Sequence, residues 1–241
     1  MPTTTPHSPR AALAVALLSL ATGAHAASLL EDFDGSLNPS LWTLDDAGNT
    51  WFVDEGRLVF VRGNGGNALL TLAPLLQGDF DVRMDYDVTG WSSTFGGGDR
   101  FGLSVTPVGE GPAFGSTIGY AQEQYLYAAA AGACCSFGPF NPLDDGGTVR
   151  LWRSGEQLRL QFLAGSEWVT LADTTEVRDV RLTLSSYIFN GFVPGASYAV
   201  DNLSISAEAF SAPIPEPTTG AMLAAGLAAL GWMARRRRTS A

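Results

Sequence analysis

Asp79–Val88 reads DFDVRMDYDV. Phe80, Val82, Met84, Tyr86 and Val88 share one parity; Asp79, Asp81, Arg83, Asp85 and Asp87 share the other. Successive side chains of a strand point to opposite faces, so this stretch predicts a half-buried β-strand with one apolar and one wet face. The same short rhythm extends in both directions. Arg57–Arg62 (RLVFVR) and Asn67–Leu72 (NALLTL) flank a Gly-Asn-Gly-Gly tract and predict a hairpin. Arg100–Thr106, Thr148–Arg153, Gln157–Leu163, Trp168–Ala172, Asp179–Tyr187 and Ser197–Ser206 predict further strands, several separated by glycine-containing turns. Ala128–Pro142, rich in Gly, Ala, Phe and Pro, reads as an exposed insertion. No stretch from Ser28 to Ala209 carries a helical period. Many short strands with turns between them predict an all-β, antiparallel two-sheet sandwich or a barrel. Without a repeat of 20 to 50 residues, a propeller or solenoid is not expected.

The two ends read differently from this body. In residues 1–26, Arg10 precedes an apolar run from Ala11 to Ala21, and Ala24-His25-Ala26 forms an A-x-A site. That is the layout of a secretory signal peptide, with cleavage leaving Ala27 as the new N-terminus and signal peptidase as a partner. The alternative is an uncut N-terminal anchor. Residues 27–210 are the predicted sandwich, and 211–217 (SAPIPEP) form a Pro-rich, extended spacer. Residues 218–234 contain no charge; as a helix they span roughly 26 Å, just enough for a bilayer core of about 30 Å. Residues 235–241 begin with Arg235, Arg236, Arg237 and Arg238, a positive stop retained on the cytoplasmic side. The body is therefore expected outside, held at the inner membrane until processed.

The chain has no lysine, and its two histidines, His7 and His25, lie in the leader. A mature body without either residue cannot build a Ser-His-Asp triad, a His-containing zinc site or a Schiff base. Residues 27–217 hold all 24 acids and nine of the fourteen arginines, a net charge of −15. Nucleic acid, which is bound through basic patches, is not an expected partner. Cations such as Ca²⁺ suit such a body.

The ordered triad of Pro215-Glu216-Pro217, apolar run and arginine cluster resembles the PEP-CTERM sorting signal. That resemblance implies processing by exosortase, a membrane-embedded protease, and delivery to the cell surface or extracellular matrix. The alternative is a plain C-terminal anchor that is never cut. Within the body, Glu31–Trp42 (EDFDGSLNPSLW), Asp54–Phe60 (DEGRLVF), Asp79–Val88 and Tyr198–Ile205 (YAVDNLSI) resemble concanavalin A-like lectin and glucanase domains. The resemblance implies a jelly roll whose first and last strands lie side by side, with a face that often holds a glycan. Glucanases of this fold carry Glu-x-Asp-x-x-Glu on one strand. Here Ile118–Tyr127 stands in the comparable place with a single acid, Glu123, and the pattern occurs nowhere in the chain. A non-catalytic polysaccharide binder is therefore expected, with a glycoside hydrolase or a purely structural matrix component as alternatives.

Glu123, Tyr125 and Tyr127 share one parity, and with Trp91 and Trp152 they are candidate glycan contacts, because sugars stack on aromatic rings while polar groups orient them. Each of these aromatics could instead be core or half-core. The lectin-like resemblance implies a structural calcium held by Asp34, Gly56 and Asp201; equally, the parity switch after Val200 fits a bulge at Asp201-Asn202. Cys134 and Cys135 are adjacent, and an exported body meets oxidising conditions. A vicinal disulfide, free thiols or an intermolecular bridge are the possible outcomes.

Overall fold

A computed structural model of the chain describes residues 26–46, 51–61, 68–87, 99–120, 124–130, 133–137, 146–188 and 197–211. The leader up to His25, the Pro-Glu-Pro spacer from Ala212, the apolar run and the arginine tail lie outside these residues, as do Trp91 and Glu123. Among the described residues every regular element is a strand: β1 (Ala27–Glu31), β2 (Trp42–Asp45), β3 (Trp51–Asp54), β4 (Arg57–Val61), β5 (Ala68–Leu72), β6 (Leu76–Asp87), β7 (Asp99–Pro107), β8 (Phe114–Tyr120), β9 (Gln124–Ala130), β10 (Ala133–Phe137), β11 (Gly146–Ser154), β12 (Gln157–Ala164), β13 (Glu167–Thr175), β14 (Val180–Ile188) and β15 (Ser197–Phe210). All the pairings are antiparallel.

The strands form two layers of a jelly roll. One layer runs β10-β9-β8-β7-β14-β5-β2. The other runs β13-β12-β11-β6-β15; the far edge of β15 is shared by β4, with β3 beyond it, and by β1. The layers touch in hydrogen bonding at one register pair, Val180 with Leu76. First and last strands lie side by side, Ala27 opposite Ala207 through Glu31 opposite Leu203.

The alternation in β6 is what positions everything else. Phe80, Val82, Met84 and Tyr86 are buried, while Asp81, Arg83, Asp85 and Asp87 face outward. The inward set meets Leu70, Leu103, Val105, Leu182 and Leu184 of the opposite layer in one continuous core. At one end the contact is aromatic. Phe101 stacks on Tyr198 at 3.9 Å, Tyr198 on Phe60 at 4.5 Å, and Trp51 meets both edge-on. Trp51 also donates across the layers to Ser186 Oγ at 2.9 Å, which satisfies its buried indole N–H. The whole buried core lies between Phe33 and Ala207, so the body is self-contained without either end of the chain.

Three sequence expectations need correction. β4 and β5 do not form a hairpin: β4 pairs with β3 and β15, β5 with β2 and β14, in opposite layers. The glycine tract between them carries the chain across the sandwich. The hairpin signal lies one turn earlier, at Glu55-Gly56, where φ is 49° and 74°. Two consecutive positive φ values define the primed turn that matches strand twist, and glycine takes the second at no steric cost. Second, Ile118–Tyr127 is not one strand but two, β8 and β9, folded back with Ile118 opposite Leu126 and Tyr120 opposite Gln124. Ala121-Gln122-Glu123 contains none of the usual turn formers, so the alternation conceals the reversal. Third, the expected insertion from Ala128 contains the end of β9 and all of β10.

Candidate functional site

β11 sits between β6 and β12, and its parity decides which of its side chains reach solvent. Val149, Leu151 and Arg153 point into the core, so Thr148, Arg150 and Trp152 stand on the outer face. Register brings Trp152 opposite Asp81 of β6 and Arg159 of β12. On β13, Trp168 stands on the same face. The result is an interleaved row: Arg159 lies 5.4 Å from the Trp152 ring centre, Arg150 lies 5.6 Å from Trp152 and 5.3 Å from Trp168, and Arg83 lies 5.6 Å from Trp168. All four separations fall within cation–π range.

Hydrogen bonds hold the row in place. Arg150 forks onto Asp81, Nε to Oδ1 at 2.8 Å and Nη2 to Oδ2 at 2.7 Å. Arg83 forks onto the same carboxylate at 3.1 and 2.7 Å. Arg150 Nη1 donates to Gln161 Oε1, and Gln161 Nε2 donates to Thr170 Oγ1, both at 3.2 Å. Arg159 Nη2 donates to Gln157 Oε1 at 3.2 Å. Partial burial would raise the Asp81 pKa, but hydrogen bonds and charge from Arg150 and Arg83 outweigh it and hold the carboxyl below its ordinary value. Asp81 is thus an anion at neutral pH, and the solvated aspartate read from the sequence is an organising centre.

On the other side of Trp152 the face opens into a groove of about 520 Å³. Its walls include Trp152, Asp79, Asp81, Ser154, Ser206 and Glu208, and Ala26 borders it. Asp79 Oδ1 accepts the Gly155 N–H at 2.7 Å. One aromatic ring, hydroxyls and carboxylates around an open groove can grip a polyhydroxylated ligand by stacking and hydrogen bonding.

Of the five expected glycan contacts, Trp152 lies at this site. Tyr125 and Tyr127 lie on β9, in the other layer, register-paired with Gly119 and Thr117. Trp91 and Glu123 lie outside the described residues. Trp168, Arg83, Arg150 and Arg159 were missed, although Arg150-Leu151-Trp152 already shows an arginine and a tryptophan on one face. Cys134 and Cys135 lie on β10, where the register against β9 shifts between Ala133 and Ser136.

The three expected calcium donors gather at the seam where β15 leaves β4 for β1. A Cβ at Gly56 would stand 2.9 Å from Asp34 Oδ1, so that carboxylate lies against the Gly56 backbone. Leu58 pairs with Val200, which brings Gly56 alongside the Asp201-Asn202 segment. There the register shifts and Asn202 has φ 47°, the bulge expected from parity. Asp201 Oδ1 accepts the Asn202 N–H at 2.6 Å. Among the described residues no three acidic side chains converge, so a cation here needs backbone carbonyls to complete its shell.

Fold and tail together define a lectin-like jelly roll with a sorting signal. Residues 213–238 match the PEP-CTERM protein-sorting motif, which marks an exported protein handled through exosortase. The body resembles winged bean acidic lectin complexed with methyl-α-D-galactose, with TM-score 0.52, 12% identity, and coverage of 75% of this chain and 98% of the lectin. It also resembles the CBM2 module of the evolved Dit of Lactobacillus casei BL23 phage J-1, with TM-score 0.55, 10% identity, and coverage of 79% and 100%. A structure from work on endo-acting O-glycanases that initiate mucin breakdown, from the human gut microbiota, gives TM-score 0.54 at 11% identity, with coverage of 74% and 97%. At such identities the likeness concerns the fold alone. No curated protein matches the chain.

Proposed function

We propose that this chain is an exported surface or matrix protein whose body binds exopolysaccharide without cleaving it, on the outer face centred on Trp152. The observation that carries the reading is the groove, where one indole, two serine hydroxyls and carboxylates share an open wall. The lectin-like fold supports it, and so does the absence of Glu-x-Asp-x-x-Glu from the sequence. On a glycan array, the body (residues 27–212) is expected to retain at least one polysaccharide and release no reducing ends from it. Trp152→Ala should weaken retention about tenfold or more, the scale of losing one stacked ring, at an unchanged melting temperature. Unaltered binding by that variant would remove the site; an array without hits would favour a purely structural role.

The tail then serves delivery. Signal peptidase frees Ala27, and exosortase removes the membrane segment near Pro215-Glu216-Pro217. Mass spectrometry of the extracellular product should show a chain that starts at Ala27 and lacks the arginine cluster; a surface product that keeps Arg235–Arg238 would establish a permanent anchor instead.

Calcium at the Asp34–Gly56–Asp201 seam is part of the same proposal, with the ion fixing the β1–β4 junction and taking no part in chemistry. Millimolar calcium should raise the melting temperature by a few degrees, as expected for a ligand of the native state. An identical melting curve in calcium and in chelator would dismiss it.

A further inference from the structure

The face around Trp152 is electrically divided. Asp79 and Glu208 stand on the groove side, towards β15, whereas Arg83, Arg150 and Arg159 interleave with the two indoles over β6, β11, β12 and β13. We propose that the polysaccharide recognised here is polyanionic, bearing uronate carboxylates or sulfate esters, and that the Arg159–Trp152–Arg150–Trp168–Arg83 row reads those charges. The inference rests on the polysaccharide-binding reading and names its ligand class.

Charge carries the first part of the argument. The three guanidinium groups share one carboxylate, Asp81, which pairs with both Arg83 and Arg150. Arg159 makes no ion pair among the described residues; Asp173, its register partner, accepts instead from Gln157 Nε2 at 3.3 Å. The row therefore holds about two positive charges in excess, inside a body of net charge −15 with nine arginines in all. Surface arginines in so acidic a protein have abundant partners, and a set left under-neutralised is available to an external anion.

Donor geometry carries the second. Arg150 uses Nε and both terminal nitrogens within the protein. Arg83, 47% exposed along its side chain, spends Nε and Nη2 on Asp81, and Arg159 spends Nη2 on Gln157. N–H groups remain on both. A guanidinium held by a neighbour keeps its planar fork aimed, and that fork matches a carboxylate or sulfate edge. Each indole also has two guanidinium groups within cation–π distance, which leaves a neutral pyranose less ring to stack on. Asp79 and Glu208 repel an anion from the groove side, so an anionic chain is confined to the strands that carry the row.

The test compares immobilised polygalacturonate, dextran sulfate, neutral dextran and duplex DNA as ligands for the body, which contains the whole core. Retention on polygalacturonate, on dextran sulfate or on both, roughly tenfold above dextran and falling between about 50 and 500 mM salt, is the expected result. Which of the two is retained assigns carboxylate or sulfate. The double variant Arg83→Gln/Arg159→Gln should lose that preference roughly tenfold, since each substitution removes a charged donor. Its melting temperature should stay within a few degrees, because both side chains lie at the surface. Equal retention on dextran would overturn the proposal and leave the polysaccharide reading intact. DNA held as tightly as the polyanions would also overturn it, reducing the row to general charge attraction. Failure of every saccharide ligand would remove both readings.

Discussion

Replacing Arg153 with methionine should lower the stability of the body by about 3 kcal/mol or more, enough to drop its melting temperature by roughly 6 to 12 °C in a domain of this size. Arg153 is 1% exposed, the largest of the fully buried side chains among the described residues. Its Nε donates to the Gly78 carbonyl at 2.7 Å, its Nη2 donates to the same oxygen, and its Nη1 donates to the Arg178 carbonyl. The guanidinium lies over the Phe80 ring at 4.8 Å. One cation thus ties the start of β6 and the link ahead of β14 to β11, near the corner where Val180 and Leu76 join the two layers. Burial pulls its pKa below the ordinary guanidinium value, while Asp79, Glu176, Asp179 and Glu208 pull it back, so it stays charged.

Methionine fills comparable space and removes the cation and every donor. Two carbonyls then lose their partner, each at a cost of about 1–3 kcal/mol, and four carboxylates lose the charge they surround. Arg153→Lys should fall between the two proteins, since an ammonium restores the charge without the planar fork that reaches two carbonyls. Thermal unfolding of the three proteins measures this directly. A methionine variant that melts within 2 °C of the parent would show that the cluster is not holding the corner.

Parity already marked Arg153 in the sequence: it falls in step with Val149 and Leu151, against Arg150 and Trp152. A charged residue at a core position is the signature of a buried network, and the alternation that predicted β6 exposes it once applied to β11. The outer row was less legible. Arg83, Arg150, Arg159 and Trp168 come from β6, β11, β12 and β13, and strand parity gives each a face without saying which strands are neighbours. The β11–β12–β13 meander could be read from its short glycine turns; the neighbour of β11 on its other edge, β6, lies more than fifty residues away in sequence. Long-range pairing also defeated the β4–β5 hairpin, because a glycine tract permits a crossover as readily as a turn. By contrast, the pairing of β1 with β15 followed from a resemblance carried at both chain ends.

A single methyl group at Gly115 should cost about 3 kcal/mol, the upper part of the range for overpacking, because its clash is with backbone. Gly115 of β8 pairs with Ser104 of β7. A Cβ there would sit 2.3 Å from the Leu103 carbonyl oxygen and 2.5 Å from the Ser104 Cα. No rotamer relieves such contacts. β7 cannot retreat either, since its other edge is paired to β14 from Asp99 to Pro107. Gly115→Ala must therefore push β8 away from β7, and amide exchange at Ser104 and Gly115 should rise together with the fall in melting temperature. Gly35→Ala is the matched control: a Cβ there meets nothing within 4 Å, and its effect should stay within about 0.5 kcal/mol. Equal melting temperatures for the two variants would mean that β7 and β8 are not packed this closely. The comparison also separates the candidate glycan contacts. β8 leads into β9, which carries Tyr125 and Tyr127, whereas Trp152 and its arginines belong to the other layer. Below its lowered melting temperature, a Gly115→Ala body should bind polysaccharide as the parent does if the Trp152 face is the site. A loss of binding there would move the site to the layer of β9.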